Sequence, residues 1–143
     1  MTEDTLRAEL KTAMRERDGL RTRVLRNVLA AVKNKQIEKR ADVPTSEIVA
    51  IIQREAKQSR ETLTFARDAG RDETVADLEL VLGVLDGLLP SQLSEDELVA
   101  AIRAIVTETG AAGLGDVMKE LIARHAGTYD GKTASRLVRE ILA

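Results

Sequence analysis

The sequence of 143 residues has no cysteine, no tryptophan, two prolines and a single histidine. Without cysteine the chain has no disulfide bond, no thiolate nucleophile and no cysteine-ligated zinc site. A lone histidine, His125, cannot form a metal site that needs two histidine ligands. The glycines Gly113 and Gly115 are not preceded by the strand pattern that a dinucleotide-binding fingerprint requires, and no Walker-type loop is present. We therefore expect no metal ion, no cofactor and no catalytic residue.

Aromatic residues are almost missing, since Phe65 and Tyr129 are the only two. Proteins that read single-stranded RNA usually stack bases on aromatic rings, so we do not expect a stacking mode of recognition, and recognition of shape or backbone stays open. Long apolar runs are also missing, and none reaches the roughly 18 residues of a membrane span. The start of the chain, Met1–Asp4, is acidic and lacks the apolar segment of a signal peptide. These absences predict a cytoplasmic protein without a membrane partner.

The residues that are present favour helices. Hydrophobic residues make up 43% of the chain and are mostly leucine, valine, isoleucine and alanine, while charged residues make up 32%. Leucine, alanine, glutamate, arginine and lysine are good helix formers, whereas the aromatic residues that favour strands are scarce. The chain is therefore predicted to be all-α, with an N-terminal bundle of about four helices and a small C-terminal three-helix domain.

Capping residues and prolines along the chain predict where helices begin and where the domain boundary lies. Thr45 is predicted to cap the third helix, and the fourth helix is apolar over so much of its surface that it is predicted to be central. The sequence Ser94-Glu95-Asp96-Glu97 has the pattern of a capping box that opens the fifth helix. The short segment Pro90-Ser91-Gln92-Leu93 precedes that box and is the best candidate for a boundary. We therefore predict two domains, at residues 1–90 and 91–143.

Charge is unevenly distributed along the chain. Residues 1–40 hold eleven basic and six acidic residues, whereas residues 72–108 hold nine acidic residues and one basic residue. Such asymmetry is typical of proteins with a polyanionic partner, although ordinary charged helix surfaces produce it too. The charge pattern therefore leaves both interpretations open.

One side of the second helix carries a basic stripe, which we define as Arg26, Lys33, Ile37 and Arg40. At 100° per residue these positions fall within about 60° of one another. On the third helix Glu55 falls on the apolar face, where a carboxylate must be paired or must reach water at the edge. We predict that Glu55 forms an ion pair with Arg26, Lys33 or Arg40. The alternative is that the stripe is exposed and binds phosphate groups.

Four segments of the chain, taken in their order and spacing, resemble the YqeY family, also called the GatB/YqeY-like proteins. The LPSQLS junction and the glycine-rich C-terminal pattern are the most specific parts of this resemblance. The segments are LRNVLAAVKNKQIEKR at 25–40, IIQREAKQSRETLTFARDAGR at 51–71, LLPSQLSEDEL at 88–98 and GDVMKELIARHAGTYDGKTASRLVREIL at 115–142.

The resemblance implies a relation to tRNA-dependent amidotransferases. The C-terminal part is similar to the tail domain of the B subunit of the aspartyl/glutamyl-tRNA amidotransferase, a glutamine-dependent carbon–nitrogen ligase, and that tail is associated with tRNA recognition. The glutaminase and transamidation domains of that enzyme have no counterpart in a chain of this length. The family therefore implies an accessory role without catalysis by the chain alone.

Two classes of function follow as expectations. The first is binding to tRNA or another structured RNA, and the second is docking on an enzyme or ribosomal partner through a helical surface. Asp116 stands where the family usually has a lysine, and Thr128-Tyr129 replaces a small basic dipeptide. The candidate residues for nucleic-acid binding are Lys119, Arg124, Lys132, Arg136 and Arg139 in the C-terminal part, together with Arg26, Lys33 and Arg40.

Overall fold

The computed structural model describes all 143 residues and contains seven α-helices and no strand, which confirms the all-α prediction. The chain divides into two compact units, Met1–Leu89 and Pro90–Ala143. Four helices form the first unit and three form the second. In chain order they are α1 (Glu3–Arg15), α2 (Gly19–Lys39), α3 (Thr45–Asp68), α4 (Asp72–Leu88), α5 (Glu95–Thr109), α6 (Leu114–His125) and α7 (Gly131–Leu142).

Side-chain caps start the first two helices. The hydroxyl of Thr2 accepts a hydrogen bond from the backbone N–H of Thr5 at 3.1 Å, and the carboxylate of Asp18 accepts one from the backbone N–H of Arg21 at 3.0 Å. The predicted cap at Thr45 is wrong, because Thr45 is already the first residue of α3 and no side chain caps that helix. The helix begins one residue earlier than predicted because the carbonyl of Pro44 accepts from the backbone N–H groups of residues 47 and 48.

The core of the first unit is formed by aliphatic side chains of all four helices. Its fully buried members include Leu6, Leu25, Val32 and Ile52. The prediction that α4 is central is wrong, since α2 packs against α1, α3 and α4, whereas α4 packs against α2 and α3. The apolar surface of α4 is wider than the face that its neighbours cover, and Leu80 is consequently 62% exposed.

Glu55 does not form the predicted ion pair. None of the salt bridges in the structure includes it, and its side chain is half-buried. Exposure at the edge of the apolar face allows the carboxylate to keep its water, so the desolvation that would require a cationic partner does not arise. The bundle is instead linked by pairs between neighbouring surfaces, such as Arg67 with Glu79 at 3.0 Å and Arg60 with Asp86 at 2.9 Å.

The second unit begins with the predicted capping box, which is confirmed. The hydroxyl of Ser94 accepts from the backbone N–H of Glu97, and the Glu97 carboxylate accepts from the backbone N–H of Ser94, both at 3.1 Å. The preceding segment is bound to the loop between α6 and α7. The backbone N–H of Leu93 donates to the carbonyl of Thr128 at 2.7 Å, and the side chain of Gln92 donates to the carbonyl of residue 127 at 2.7 Å. The segment that the sequence predicts as the domain boundary is therefore hydrogen-bonded to the α6–α7 loop and is part of the second unit.

A separate aliphatic core holds α5, α6 and α7 together. Its buried members are Leu98, Ile102, Ile105, Val117, Leu121, Ala134, Leu137 and Val138. Tyr129 is half-buried and packs against this core. None of the seven helices has both the length and the apolar composition of a membrane-spanning helix, and α5 and α6 meet that description only as a pair bent by 111°.

Candidate nucleic-acid interface

Core residues occupy the inward side of α2, so its outward side faces solvent. This outward side carries basic residues. Val24, Leu25, Val28 and Val32 are buried against the bundle, so the positions on the opposite side face solvent. Arg26 and Lys33 lie on that side and are exposed. The helix contains one acidic residue, Glu38, on another part of its circumference, and its carboxylate lies 4.0 Å from Lys35. The helix itself therefore contributes no carboxylate beside Arg26 and Lys33.

The three predicted cations of the basic stripe form no ion pair. The guanidinium of Arg26 donates only to the sulfur of Met14, at 3.9 Å, and thioether sulfur is a weak acceptor. Lys33 is exposed and has no carboxylate within salt-bridge distance. Arg40 lies just beyond the end of α2 and adopts a left-handed conformation with φ of 53°. The helical geometry that defined the stripe therefore applies to Arg26, Lys33 and Ile37. Arg40 is the C-cap residue that follows the helix, so this geometry does not apply to it.

A groove adjoins the start of this stripe, where α1 ends and α2 begins. It has a volume of about 470 Å³ and is lined by three arginines, Arg17, Arg23 and Arg26. No acidic residue lines it. We call this feature the arginine groove, and its remaining lining residues are Met14, Gly19, Thr22 and Asn27.

The turn between α1 and α2 places Arg17 in the groove. Arg17 has φ of 56°, a conformation that arginine rarely adopts. The turn is held by hydrogen bonds from the backbone N–H of Arg17 to the carbonyl of Met14 at 3.2 Å and from that of Asp18 to the carbonyl of Ala13 at 2.9 Å. Because Asp18 also caps α2, the chain reverses direction within three residues and leaves the Arg17 side chain beside the first turn of α2.

Arg23 is held on the other side of the groove by a residue far away in sequence. Its guanidinium donates to both carboxylate oxygens of Asp77 on α4, at 3.0 and 3.2 Å. Sequence reasoning missed both Arg17 and Arg23. A signal was available, since four arginines lie within or beside the break between α1 and α2 at residues 16–18, namely Arg15, Arg17, Arg21 and Arg23. The spacing along α2 alone could not reveal it, because Arg17 lies outside that helix.

In the second unit Arg124 is neutralised by two carboxylates. Its guanidinium lies 2.6 Å from Glu108 and 3.2 Å from Glu120. These partners raise the pKa of Arg124, with the hydrogen bond that its guanidinium donates to Glu108 as the largest cause. The predicted phosphate contact at this residue would have to compete with both carboxylates.

Arg136 is held in the same way. It pairs with Glu95 at 2.9 Å and with Glu140 at 3.1 Å, and the hydrogen bond to Glu95 is the main cause of its raised pKa. Lys132 and Arg139 share the exposed face of α7 with it, at i, i+4 and i+7 spacing, and neither has an ion-pair partner. The exposed Lys119 on α6 is also unpaired. The second unit as a whole holds eight acidic and six basic residues.

Other titratable groups have structural explanations. The pKa of Glu97 is lowered chiefly by the backbone N–H of Ser94, which donates to its carboxylate in the capping box, and further by the Ser94 side chain. The pKa of Tyr129 is raised by burial against the core of the second unit. No three His, Asp or Glu side chains lie close enough together to hold a metal ion. The structure thus brings together cations at α2 and the arginine groove, while it disperses or neutralises those of the second unit.

These features define a class of protein: a two-unit helical protein whose charged surface, rather than an enclosed polar cavity, is its most distinctive feature. The family model described as Yqey-like protein matches residues 3–142. The chain therefore belongs to the YqeY family over essentially its whole length, as the sequence resemblance indicated. A comparison with curated protein sequences gives no match.

Proposed function

We propose that this protein is a cytoplasmic accessory protein that binds tRNA or another structured RNA through its phosphate backbone, and that it is related to the tRNA-recognising tail of amidotransferases without catalysing amidation. The observation that carries the proposal is the outward side of α2, where Arg26 and Lys33 are exposed and have no ion-pair partner. Each Lys or Arg that neutralises a phosphate releases a condensed counterion, which provides most of the affinity of such binding.

The exposed side chains favour recognition of the backbone over recognition of the bases. The only aromatic side chains are Phe65 on α3 and the half-buried Tyr129, and neither lies on the basic stripe. Arg26 and Lys33 are instead flanked by Asn34 and the alanine at position 30, which offer no ring for a base to stack on. A surface of this composition fits the regular backbone of a folded RNA, which proteins recognise through phosphate and ribose contacts.

The distribution of ion pairs favours the first unit as the main site of RNA contact. Arg124 and Arg136 are each held by two carboxylates, so a phosphate would first have to displace them. The unpaired residues Lys119, Lys132 and Arg139 can add contacts in the second unit. We therefore assign the principal RNA contact to α2 and a secondary contact to α7.

The test is a filter-binding or gel-shift titration with bulk tRNA at low and physiological salt. The variant combines Arg26→Gln with Lys33→Gln. Two lost phosphate contacts should lower the slope of log affinity against log salt by about 1.4–1.8, since each contact contributes about 0.7–0.9. The matched control combines Arg54→Gln with Lys57→Gln, two exposed and unpaired cations of α3, and removes the same net charge.

The comparison of the two variants decides the proposal. A steep slope for the wild-type protein and the control, with a shallower slope for the α2 variant, supports it. Equal loss in both variants would mean that net charge alone drives binding and that α2 is not the contact surface. Absence of tRNA binding even at low salt would refute RNA binding. A glutaminase assay on the full chain should give no activity above background.

A second candidate function, docking on a protein partner, is favoured by two exposed apolar side chains of the first unit. Phe65 on α3 is 74% exposed and Leu80 on α4 is 62% exposed. Contiguous exposed apolar patches mark sites where one protein docks on another, and side chains this exposed are available to such a partner. If Phe65 contacts a partner, Phe65→Ser should remove a protein that co-purifies with the wild-type chain and should leave tRNA binding unchanged. If no co-purifying protein is lost, this second function is refuted.

A further inference from the structure

The arginine groove has the charge of a site for a doubly negative group. Arg23 is paired with Asp77, so its positive charge is balanced. Arg17 and Arg26 have no carboxylate partner, which leaves two uncompensated guanidinium groups at one groove of about 470 Å³. A ligand that carries two negative charges on one small group would balance them, whereas an internal phosphodiester carries only one.

Neutral donors complete the lining. The hydroxyl of Thr22 and the side-chain amide of Asn27 lie on the first turns of α2, between the arginines. Both can donate to phosphate oxygens, and neither forms a hydrogen bond with another side chain in the structure. The guanidinium fork of arginine matches the geometry of phosphate oxygens, and such charge-assisted bonds are stronger than neutral ones.

Gly19 leaves space within the groove. A Cβ atom placed on Gly19 meets no atom within 4 Å, so packing does not require glycine at this position. Its missing side chain leaves the first turn of α2 accessible between the arginines. An arginine held at φ of 56° at the adjoining turn adds backbone strain of the kind that clusters at ligand-binding sites.

We propose that the arginine groove binds a terminal phosphate group, a phosphomonoester dianion. The 5′ end of an RNA and a free mononucleotide both carry this group. If the source is RNA, the inference rests on the proposed function and gives it a point of attachment at the RNA end. The free mononucleotide does not depend on that function, so two probes distinguish the sources.

The first probe is adenosine 5′-monophosphate, with adenosine as its control, followed by amide and guanidinium NMR shifts of the full chain. Saturable shifts at residues 17–27 are expected with the nucleotide and not with adenosine. The second probe is a 3′-labelled RNA hairpin with either a 5′-phosphate or a 5′-hydroxyl, measured by fluorescence anisotropy. The phosphorylated hairpin is expected to bind about tenfold more tightly, as for one additional charge-assisted contact.

Two groove variants and one stripe variant separate this inference from the proposed function. Arg17→Asn removes a groove guanidinium, and asparagine tolerates the left-handed conformation better than arginine does. Gly19→Leu places an apolar side chain in the groove without a steric clash at Cβ. Both should abolish the preference for the 5′-phosphate, whereas Lys33→Gln should weaken all RNA binding and keep that preference.

Each result decides between the two ideas. If adenosine 5′-monophosphate shifts the groove but neither hairpin binds, the groove is a nucleotide site and the proposed RNA function fails. If both hairpins bind equally and the nucleotide causes no shift, RNA binding stands and the phosphate site is refuted. If the preference for the 5′-phosphate survives both groove variants, the terminal phosphate binds elsewhere and the inference is likewise overturned.

Discussion

The two aliphatic cores share no residue, and this separation makes the effect of a single core mutation predictable. Ile102 on α5 is fully buried among side chains of the second unit. Replacement of Ile102 by alanine removes three carbon atoms from that core and leaves a cavity. No residue of the core of the first unit loses a contact by this change.

The size of the second unit sets the consequence. Large-to-small substitutions of this kind cost about 2–5 kcal/mol in buried sites. A unit of 54 residues has a total stability on the order of 3–8 kcal/mol, at about 0.05–0.15 kcal/mol per residue. The substitution therefore removes from about a quarter to all of the free energy of unfolding of this unit. We expect a marked rise in the fraction of molecules in which the second unit is unfolded.

Amide hydrogen exchange followed by NMR measures this effect helix by helix. In the Ile102→Ala protein, the amides of α5, α6 and α7 should lose protection by the factor that corresponds to the lost free energy, which is about tenfold per 1.4 kcal/mol. The amides of α1 to α4 should keep their protection. Because the principal RNA contact is assigned to α2, tRNA affinity should fall by no more than the contribution that the secondary contact on α7 makes to it.

The matched control is Ile52→Ala, which opens the same kind of cavity in the first unit, where Ile52 is also fully buried. The control should show the reverse pattern of exchange and should weaken tRNA binding in proportion to the fraction of molecules in which the first unit is unfolded. A uniform loss of protection over both units in either protein would show that the chain unfolds as one cooperative body. That result would refute the reasoning from separate cores.

Three further predictions concern charge and caps. The backbone N–H of Ser94 donates to the carboxylate of Glu97 and, with a smaller effect of the Ser94 side chain, lowers its pKa, so this stabilisation is complete above the ordinary glutamate pKa of about 4.3 and is lost as pH falls through the lower value. Glu97→Gln keeps an acceptor for the cap but cannot titrate, so it should remove this acid sensitivity from the melting curve of the second unit, and an unchanged pH profile would contradict it. Asp77→Asn removes the carboxylate that balances the charge of Arg23. The affinity of the arginine groove for adenosine 5′-monophosphate should therefore rise several-fold in isothermal titration. Unchanged or weaker binding would contradict the proposal that the groove binds a phosphate dianion. Arg136→Gln should leave the salt slope of tRNA binding unchanged because two carboxylates already hold that guanidinium, and a decrease of about 0.7–0.9 would instead place a phosphate on it.

The sequence by itself determined the features that depend on neighbours within one or two helical turns. Apolar residues at helical spacing indicated all seven helices, since the inward face of a helix repeats every three to four residues. The capping box at Ser94 could be predicted because its two hydrogen bonds join residues only three positions apart. The exposure of Arg26 and Lys33 was one of two alternatives that the sequence left open, the other being an ion pair with Glu55. The one local error, at Thr45, concerned a helix end shifted by a single residue.

Only the tertiary structure decided which charges are available to a ligand. Arg136 and Lys132 are indistinguishable by spacing, but Arg136 meets Glu95, which lies 41 positions away along the chain. Arg23 is likewise paired with Asp77 across 54 positions, and Glu55 reaches water where the sequence suggested a cationic partner. The groove at Arg17 arises from a chain reversal between two helices. Pairings of this kind depend on the distance between helices that pack together, and periodicity within one helix carries no information about that distance.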